Sequence, residues 1–298
     1  MKVFVIGATG YIGFNVACAY RRAGHQVWGL TRSEQNARRL AAHEIHPVVG
    51  KMEEPAGYQS VVRHCSLLIY CAFDPHQGFS AERSAVERLL SMGRLGAQPK
   101  TVIYTSGVWV HGDTGDTVVD EAMTPAPPKL VASRPATEQV VLGANDVRTL
   151  IIRPGCVYGR EGGMTGAWFK GAHQHSTLAA VGSGGNRWAM VHVDDLAKAY
   201  LRAGESALNR EIFDIADHSQ STVGEMVAAV KRASGYEGDI SFIPVADAAR
   251  SMGDFAECLA LHQRVDAGKA ARLLGWRPQH LGFAEEVDRY FESWKAAQ

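Results

Sequence analysis

Short apolar runs alternate with longer amphipathic stretches through the first half of the chain. The apolar runs are too short for helices and predict buried strands, and the stretches between them carry apolar residues at helical spacing. The predicted strands are 3–6, 27–30, 47–49, 67–72 and 102–104, and the predicted helices are 11–23, 34–42, 58–64 and 81–95. This alternation indicates an α/β chain with a doubly wound parallel sheet and helices on both faces.

The second half of the chain has a less regular pattern. Residues 112–129 hold Gly, Asp and Pro and predict a long surface loop, while residues 161–188 are Gly- and His-rich with few strand features. Either Asp194 or Asp195 is expected to cap a helix at 196–203. The other predicted elements are strands at 149–152, 191–193 and 212–216, helices at 131–142 and 223–233, and a mostly helical C-terminal part.

The amino-acid composition limits the kinds of molecule that the protein is expected to bind. The 298 residues carry 31 Lys+Arg against 31 Asp+Glu, and this zero net charge argues against a strongly basic nucleic-acid footprint. No apolar run of the sequence approaches the roughly 20 residues that cross a bilayer, so we expect no membrane partner. Five cysteines are scattered without a CxxC pair, and none of the 12 histidines forms a ligand motif. We therefore expect reduced thiols, a cytoplasmic location, no metal site and a small-molecule ligand.

A glycine-rich turn, Gly7-Ala-Thr-Gly10-Tyr-Ile-Gly13, lies between the first predicted strand and the first predicted helix. A helix N-terminus presents unpaired N–H groups and partial positive charge, and so attracts a diphosphate. Gly7 permits the tight turn, Gly10 lets a phosphate approach the backbone, and Gly13 lets helix and strand pack closely. An ordinary turn without a ligand is the alternative, but the strand–turn–helix order favours a dinucleotide site.

Arg32 directly follows the second predicted strand. Sites that prefer NAD usually have an acidic residue there for the ribose hydroxyls, and Thr31-Arg32-Ser33 has none. The guanidinium offers donors matched to the 2′-phosphate of NADP, and the Ser33 hydroxyl can bind the same phosphate. A solvated arginine at a helix start is the alternative. We predict NADP(H) rather than NAD(H) as the cofactor.

Three further motifs carry a family resemblance. They are Arg153-Pro154-Gly155-Cys-Val157-Tyr158-Gly159, Val191-His192-Val193-Asp194-Asp195-Leu196-Ala197, and Lys269-Ala270 with Leu274-Gly275-Trp276-Arg277-Pro278. With the glycine-rich turn, they make the chain resemble the extended short-chain dehydrogenase/reductases, the NAD-dependent epimerase/dehydratase superfamily, over essentially its whole length. The resemblance implies a Rossmann domain at 1–159, a substrate-region insertion at 160–188, a return to the sheet at 189–217 and a smaller substrate-binding region at 218–298.

The resemblance also implies which residues border the cofactor. The ligand would lie at the carboxyl ends of the strands, with the backbone near Pro154 and Val157 holding the carboxamide end of the nicotinamide. Relatives usually have an Asp after the third strand that contacts the adenine amine; Lys51 stands here, and Met52 is expected to flank the adenine. The predicted cofactor contacts are Gly7, Thr9, Gly10, Tyr11, Ile12, Gly13, Thr31, Arg32, Ser33, Met52, Cys71, Ala72, Thr105, Arg134, Pro154 and Val157.

The chain departs from this family at its catalytic positions. Members normally use a Ser or Thr after the fifth strand, then a Tyr and a Lys four residues apart on the next helix. Alignment with that pattern puts Gly107 at the Ser, Leu130 at the Tyr and Arg134 at the Lys. Neither Gly107 nor Leu130 has a side chain that donates a proton, whereas Arg134 stays charged and can still hold ribose hydroxyls. We expect an atypical member whose proton donor lies elsewhere.

Several residues at the predicted carboxyl edge of the sheet are candidates for that proton donor. His76 follows the fourth strand, His111 and Asp113 follow the fifth, and Tyr158 follows the Arg153-Pro154 strand. Arg134 is kept as a further catalytic candidate. For each of them an ordinary loop or pocket-wall role is the alternative.

Large aromatic residues indicate what class of substrate to expect. Relatives that act on sugar nucleotides carry an Arg four residues before the His of the Val191–Ala197 motif, whereas this chain has Trp188 there and Arg187 one position earlier. Trp109, Trp168 and Trp188 are predicted to wall an apolar or aromatic substrate pocket; the alternative is that these rings fill ordinary core.

The leading functional hypothesis is an NADP(H)-dependent oxidoreductase for a small carbonyl, alcohol or imine, with a non-standard proton donor. One alternative is an NADP(H)-binding sensor without catalysis. Another is an NAD(P)-dependent epimerase, isomerase or lyase that uses the cofactor transiently. Relatives often dimerise through the helices beside the catalytic region, so a homodimer is left open.

Overall fold

The computed structural model describes residues 1–72, 82–174 and 176–298. The strands are β1 (Lys2–Ile6), β2 (Gln26–Thr31), β3 (His46–Val49), β4 (Leu67–Tyr70), β5 (Thr101–Thr105), β6 (Val118–Val119), β7 (Arg148–Pro154), β8 (Cys156–Gly159), β9 (Gly162–Gly163), β10 (Leu178–Val181), β11 (Met190–His192), β12 (Glu211–Ile215), β13 (Ile240–Ile243) and β14 (Arg264–Val265). The helices are α1 (Tyr11–Arg22), α2 (Glu34–Ala42), α3 (Gln59–His64), α4 (Glu82–Gly93), α5 (Arg134–Leu142), α6 (Gly166–His173), α7 (Val193–Glu205), α8 (Val223–Ser234), α9 (Val245–Met252), α10 (Phe255–Ala260), α11 (Gly268–Leu274) and α12 (Val287–Ala296). Short 3-10 helices lie at Pro55–Gly57, Val108–His111 and Lys129–Val131.

Seven parallel strands form the central sheet in the order β12-β7-β5-β4-β1-β2-β3. β1 pairs with β2 on one side and with β4 on the other, so the chain winds outward from β1 in both directions. The change of direction leaves a crevice outside the carboxyl ends of these strands, which is where open α/β sheets bind ligands. The chain therefore has the predicted doubly wound α/β fold.

Both faces of the sheet are buried. Val3 and Val5 share one core with residues of α1 and α7, while Phe4 and Ile6 share another with residues of α4. The division follows from the alternation of side chains along a strand. Burial on both faces also explains why β1 is a continuous apolar run.

A smaller, mostly helical region, formed by residues between β7 and β12 and by residues after β12, has its own core. Aromatic side chains from α6 and α12 dominate this core, among them Trp168, Phe169, Phe291 and Trp294. Two short parallel pairings complete the region, β10 with β13 and β11 with β8. No helix in the three described segments is both long and apolar enough to cross a membrane.

The segment around α11 returns to the first lobe. Ala270, Leu274 and Trp276 belong to the same core as Val3 and Val5. The Trp276 indole N–H donates a hydrogen bond to the backbone oxygen of Asp195 at 2.8 Å. Residues late in the sequence therefore complete the core beneath α1 and α7.

The starts of two helices differ from the sequence prediction. α5 begins at Arg134 rather than at residue 131, because Pro135 suits the first turn of a helix but not its interior. α7 begins at Val193, and its cap is His192, whose Nδ1 accepts a hydrogen bond from the Asp194 N–H at 3.1 Å. The prediction that Asp194 or Asp195 caps this helix was therefore wrong.

The segment 161–188 is more ordered than its composition indicates. It contains α6 and β10, which the Gly- and His-rich pattern did not predict. β10 pairs with β13, and β6, inside the predicted loop 112–129, pairs with β14. Each of these strands is stabilised by a partner far away in sequence, which a local pattern does not show.

Candidate active site

The glycine-rich turn between β1 and α1 has the geometry of a diphosphate cradle. Gly7 has a φ of +85°, and a Cβ there would lie 2.7 Å from backbone atoms of Cys71 and Ala72. A Cβ on Gly13 would collide with the carbonyl oxygen of Gly7. Gly10 is exposed and caps α1 without a side chain, and the first turn of α1 carries no acidic residue. Uncapped N–H groups and the positive end of the helix dipole therefore face the crevice, which fits a dinucleotide.

Side chains around this turn hold it in place. The Tyr11 hydroxyl donates to the carbonyl oxygen of Gly159 at 2.7 Å, and burial raises the pKa of Tyr11 above its usual range. Arg39, on α2, donates to the Thr9 carbonyl oxygen at 3.3 Å and to the Glu161 carboxylate at 2.9 Å. The structure thus ties Tyr11 to the last residue of β8, and Thr9, through Arg39, to Glu161 just after that strand.

The predicted 2′-phosphate site lies at the carboxyl end of β2. Thr31 is buried, while Arg32 and Ser33 are exposed on the crevice edge of the sheet. The Ser33 hydroxyl oxygen accepts a hydrogen bond from the Asn36 N–H at 3.3 Å and so caps α2. Met52, which follows β3 in the chain, is half-buried. The exposed Arg32 and Ser33 therefore stand directly after β2, at the carboxyl edge of the sheet, as the sequence predicted.

The neighbouring strand ends form the inner wall of the crevice. The Thr105 hydroxyl donates to the Tyr70 carbonyl oxygen at 2.5 Å and lies 2.6 Å from the hydroxyl of Tyr200 on α7. It also lies 3.4 Å from Cys71 Sγ, and burial raises the pKa of that thiol to about 11. Cys71 is therefore a neutral wall residue at pH 7.

The three catalytic positions of the resemblance stand around the start of α5. Leu130 is in the 3-10 helix before α5, and Arg134 is the first residue of α5. A Cβ built on Gly107 would lie 2.9 Å from Nη1 of Arg134 and 3.8 Å from the Pro154 carbonyl oxygen. Nε and Nη2 of Arg134 donate to the carboxylate of Glu82 at 3.3 and 3.2 Å. A guanidinium thus fills the space beside Gly107 at the predicted nicotinamide end of the site.

His111 is not placed to be a proton donor. It is fully buried, and its Nε2 lies 2.7 Å from Oδ2 of Asp214, which is also fully buried. Asp214 in turn accepts a longer contact of 3.7 Å from Arg153. This candidate was wrong, because the imidazole points into the core between the loop and β12 rather than into the crevice.

Tyr158 is not placed to be a proton donor either. Its hydroxyl donates to the Asp217 carboxylate and lies 3.0 Å from the Leu281 carbonyl oxygen, and its side chain is fully buried. Burial and the Asp217 charge raise the pKa of Tyr158 far above its usual range. The hydroxyl joins β8 to the C-terminal region, so the structure assigns it a packing role.

Two other candidates give no site geometry. Asp113 is exposed and accepts hydrogen bonds from the N–H groups of Gly115 and His262 at 2.9 and 3.3 Å, which order its own loop. His76 lies outside the described residues. Of the predicted catalytic candidates that the structure describes, Arg134 is the one that stands at the crevice.

The three tryptophans predicted to wall a pocket all pack in or against the core of the C-terminal region. Trp168 and Trp188 stack at 5.1 Å between ring centroids, and both belong to the core of the C-terminal region. The Trp188 indole N–H donates to the Leu259 carbonyl oxygen at 2.9 Å. Trp109 is half-buried and contacts Phe255 edge-on at 5.9 Å. Trp168 and Trp188 therefore fill core, which was the alternative to a pocket wall, and Trp109 is partly buried against the same core.

A histidine cluster that the sequence did not predict joins β11 to the C-terminal region. His192 and His280 stack at 3.6 Å, and ligand-type atoms of His192, Asp194 and His280 lie within 4.8 Å of one another. Other groups already hold these side chains, because Arg160 forms a bidentate pair with Asp194 and the Asp195 carboxylate lies 2.9 Å from His280 Nδ1. Burial and the neighbouring His280 lower the pKa of His192 to about 4. The cluster acts as a hydrogen-bonded joint between the two regions.

Sequence reasoning missed two charged residues of the site. Glu82 is 6% exposed and orients Arg134, and Arg39 clamps the glycine-rich turn. Both residues act through partners more than 25 positions away in the sequence. An acidic residue in the first turn of a helix, or a basic residue on a helix face, is common without such a role, so the local sequence did not single out either residue.

Comparisons with known proteins agree with this geometry. The model of the NAD dependent epimerase/dehydratase family matches residues 3–216. The 4-hydroxy-2-methyl-3-oxo-4-farnesyl-3,4-dihydroquinoline-1-oxide ketoreductase of Stigmatella aurantiaca is 25% identical over 87% of this chain and 80% of its own length. The 3-diazoavenalumate denitrifying reductase of a Streptomyces species is 25% identical over 97% of this chain and 100% of its own.

A solved structure shows the same fold. UDP-glucuronic acid 4-epimerase from Bacillus cereus, in complex with UDP-glucuronic acid and NAD, superposes with a TM-score of 0.82 at 16% identity and covers 100% of both chains. The family match extends over most of the chain, from β1 to the end of the central sheet. The chain therefore belongs to the NAD-dependent epimerase/dehydratase family, whose members bind nicotinamide cofactors.

Proposed function

We propose that this chain is an NADP(H)-dependent oxidoreductase that acts on a small carbonyl, alcohol or imine. The observation that carries the cofactor preference is Arg32, an exposed guanidinium at the carboxyl end of β2, next to Ser33. A 2′-phosphate at this point would gain charge-assisted hydrogen bonds, whereas Thr31-Arg32-Ser33 contains no acidic residue to accept hydrogen bonds from the bare ribose hydroxyls of NAD. Two curated relatives over most of the chain are named as reductases, which supports net reduction.

The surroundings of position 188 support a small substrate over a sugar nucleotide. The ring of Trp188 is 7% exposed and stacks on Trp168, so it offers no cation for a diphosphate. The guanidinium of Arg187 donates to the Gln220 carbonyl oxygen at 2.8 Å. Epimerisation of a sugar nucleotide therefore has less support than reduction.

Different residues of the crevice would have different roles in cofactor binding and catalysis. A reduced nicotinamide, when bound, supplies a hydride. The N–H groups at the start of α1 would hold the diphosphate, and Arg32 would hold the 2′-phosphate. An arginine side chain is not a proton donor in proteins, so Arg134 would orient groups and balance charge, and water or the substrate itself would supply the proton.

The test of this proposal is Arg32→Asp. We expect the affinity for NADPH to fall by about 1.5–3 kcal/mol, roughly 10- to 150-fold in Kd, because a charge-assisted contact is lost. The affinity for NADH should stay within about threefold or improve. Fluorescence titration with both cofactors measures this, with Arg250→Asp on α9 as a control for the change of net charge. Equal losses for both cofactors would show that Arg32 does not read the phosphate.

A sensor without catalysis is the second candidate, because Gly107 and Leu130 supply no side-chain proton donor at the usual positions. A panel of ketones, aldehydes and imines with NADPH distinguishes the candidates through the absorbance of the reduced nicotinamide. Tight NADPH binding without turnover across the panel would favour the sensor. Turnover of substrate without net oxidation of NADPH would favour an isomerase or lyase.

A further inference from the structure

We propose that Gln263 is a positioning residue for the substrate end of the crevice. Its buried side-chain amide holds the turn Val108–His111 in one orientation, and with it the crevice residues Gly107 and Trp109. The inference deepens the proposed function and rests on it for the place where the substrate binds. Gln263 acts through the turn and does not itself contact substrate or cofactor.

The amide of Gln263 spans the whole turn. Its Nε2 donates one hydrogen bond to the carbonyl oxygen of Val108 at 2.9 Å and another to that of Gly112 at 2.8 Å. Val108 begins the 3-10 helix, and Gly112 directly follows its last residue, His111. Both hydrogens of the amide are therefore used to hold opposite ends of the turn. We call this pair of hydrogen bonds the amide clamp.

The amide clamp lies in the interior of the protein. Gln263 is 2% exposed and Val108 is 1% exposed, and Gly112 is also buried. A buried carbonyl oxygen without a donor is costly, so both oxygens depend on this amide. An uncharged amide supplies two N–H groups without placing a charge in the core, whereas a carboxylate at position 263 would supply none.

The chain segment that precedes Gln263 is itself fixed. The side-chain amide of Asn186 donates to the carbonyl oxygens of Leu259 and Leu261 at 3.1 and 3.0 Å. The backbone N–H of Gln263 donates to the carbonyl oxygen of Arg187 at 2.9 Å. Because these bonds hold the backbone on both sides of the bend into β14, the side chain of Gln263 has a fixed origin from which to reach the turn.

The turn carries two residues of the crevice. Gly107 and Trp109 are half-buried, whereas the other residues of the turn are buried. A Cβ on Gly107 would lie 2.9 Å from Nη1 of Arg134 and 3.8 Å from the carbonyl oxygen of Pro154, and Trp109 contacts Phe255 edge-on at 5.9 Å. A rotation of the turn would move both residues relative to these neighbours. A displacement of about 1 Å in such a site can cost about 100-fold in rate, so holding the turn preorganises the site.

Two variants remove the amide clamp in different ways. Gln263→Glu keeps the size of the side chain and loses both donors, and Gln263→Met keeps its approximate length and adds no charge. The fluorescence of Trp109 reports on the turn, and it is obtained by subtracting the spectrum of the same protein with Trp109→Phe. We expect acrylamide to quench this component about twofold more strongly, or more, in both variants than in the wild type, because the turn opens locally.

The same variants have an expected effect on catalysis. With a carbonyl substrate from the panel described above, kcat/KM should fall about 10-fold or more, because the substrate end is no longer preorganised. The Kd for NADPH should stay within about twofold, because the glycine-rich turn and Arg32 bind the cofactor without Gln263. A purely structural role would lower stability but leave the activity of the folded fraction unchanged.

The matched control is Gln98→Glu, at an exposed position in the loop between α4 and β5. It makes the same chemical change and should alter neither the Trp109 component nor kcat/KM. Urea unfolding of each variant establishes that it is folded, and if Gln263→Glu unfolds, the comparison rests on Gln263→Met.

Hydrogen exchange of the wild-type protein gives a measurement that needs no variant. The Gly112 N–H donates to the carbonyl oxygen of Trp109 at 3.0 Å, and the Gln263 N–H donates to that of Arg187. If the amide clamp joins the two segments, they open together, and the Gly112 N–H should exchange no faster than the Gln263 N–H.

Three results would overturn the proposal. One is an unchanged Trp109 component in the folded variants, and another is much faster exchange at Gly112 than at Gln263 in the wild type. The third is a loss of NADPH affinity as large as the loss in kcat/KM, because Gln263 would then support the whole crevice rather than its substrate end. Absence of turnover in the wild type would instead remove the proposed function, and the Trp109 comparison would still report on the amide clamp.

Discussion

Asp217 is a carboxylate whose ionisation is opposed by its surroundings. Burial raises its pKa to about 6, although the Ser219 N–H and the Tyr158 hydroxyl both favour the charged form. In the unfolded chain the pKa of an aspartate is near 4, so the carboxyl group of Asp217 binds its proton more tightly in the native state than in the unfolded chain. The resulting stabilisation is fully present below about pH 4 and is lost as the pH rises through about 6.

We therefore expect Asp217→Asn to raise the free energy of unfolding at pH 7 by about 1–3 kcal/mol, because the amide needs no ionisation. The amide oxygen would still accept from the Ser219 N–H, and the amide NH2 group would donate to the Tyr158 hydroxyl, which can donate to the Leu281 carbonyl oxygen. Urea unfolding between pH 4 and pH 8 measures the effect, and the gain should vanish at the acid end. The exposed Asp239→Asn serves as the control and should change stability by less than about 0.5 kcal/mol. A gain that is the same at pH 4 and pH 8 would contradict the assignment.

At the scale of single residues, the sequence predicted the roles of the glycines, because those roles depend on the backbone. Gly7 and Gly13 stand where no Cβ fits, and their spacing showed this directly. The roles of His111 and Tyr158 could not be predicted in this way. Both have titratable groups after a strand, yet the buried partners Asp214 and Asp217, which come from distant segments, turn them into the core.

Among the elements, β7, α5 and β12 are joined by a buried network of charges. Arg153 on β7 donates to the Glu138 carboxylate of α5 at 2.9 and 2.6 Å, and its Nη1 lies 3.7 Å from Asp214 on β12. Arg153 and Glu138 are 2% and 1% exposed. Removing one member leaves an uncompensated buried charge, which costs far more than the pair itself contributes.

Arg153→Met should accordingly lower the free energy of unfolding by about 3–5 kcal/mol. Adding Glu138→Gln to it should restore part of the loss, because the stranded carboxylate is removed. Urea unfolding of the two single variants and the double variant gives the coupling. The exposed pair Arg83–Glu87 on α4 provides the control, since Arg83→Met should cost about 1 kcal/mol or less. Additive effects of the two buried substitutions would rule out the network.

Most elements of the first half could be predicted because β1, β2, β4 and β5 are largely buried apolar runs, and because residues typical of helix ends flank several of the helices. The bounds of α2 agree at both ends, with Ser33 as its cap. The pattern failed where pairing is distant, as in β10 with β13, and where glycine and histidine mask an element, as in α6. The start of α5 was placed early because the apolar Val131 belongs to a separate 3-10 turn.

For the whole molecule, one core of the central sheet includes residues from the C-terminal part of the chain, so the two regions are not divided at a linker. Ala270 and Leu274 of α11 pack into the core of the central sheet, and the Asp195 carboxylate accepts the backbone N–H groups of Gln279 and His280 at 2.8 and 2.9 Å. Such contacts couple unfolding of the C-terminal region to that of the sheet. We therefore expect one cooperative transition.

Saturating NADPH should raise the temperature of that single transition. At a concentration of 100 times Kd the stabilisation is about 2.7 kcal/mol, and NADH at the same concentration should stabilise less because its Kd is weaker. Scanning calorimetry with and without each cofactor measures both expectations. Two transitions, of which NADPH shifts only one, would show that the regions unfold separately.

The return of residues 267–276 to the first core has a consequence for how the chain is made. During translation, β1 and α1 leave the ribosome early, yet the apolar surface that Trp276 and Leu274 cover stays bare until almost every other element has been synthesised. A stalled or truncated nascent chain would carry a nearly complete sheet whose apolar surface beneath α7 is exposed to solvent. We expect such fragments to be recognised by chaperones and proteases and not to accumulate as functional nucleotide-binding halves.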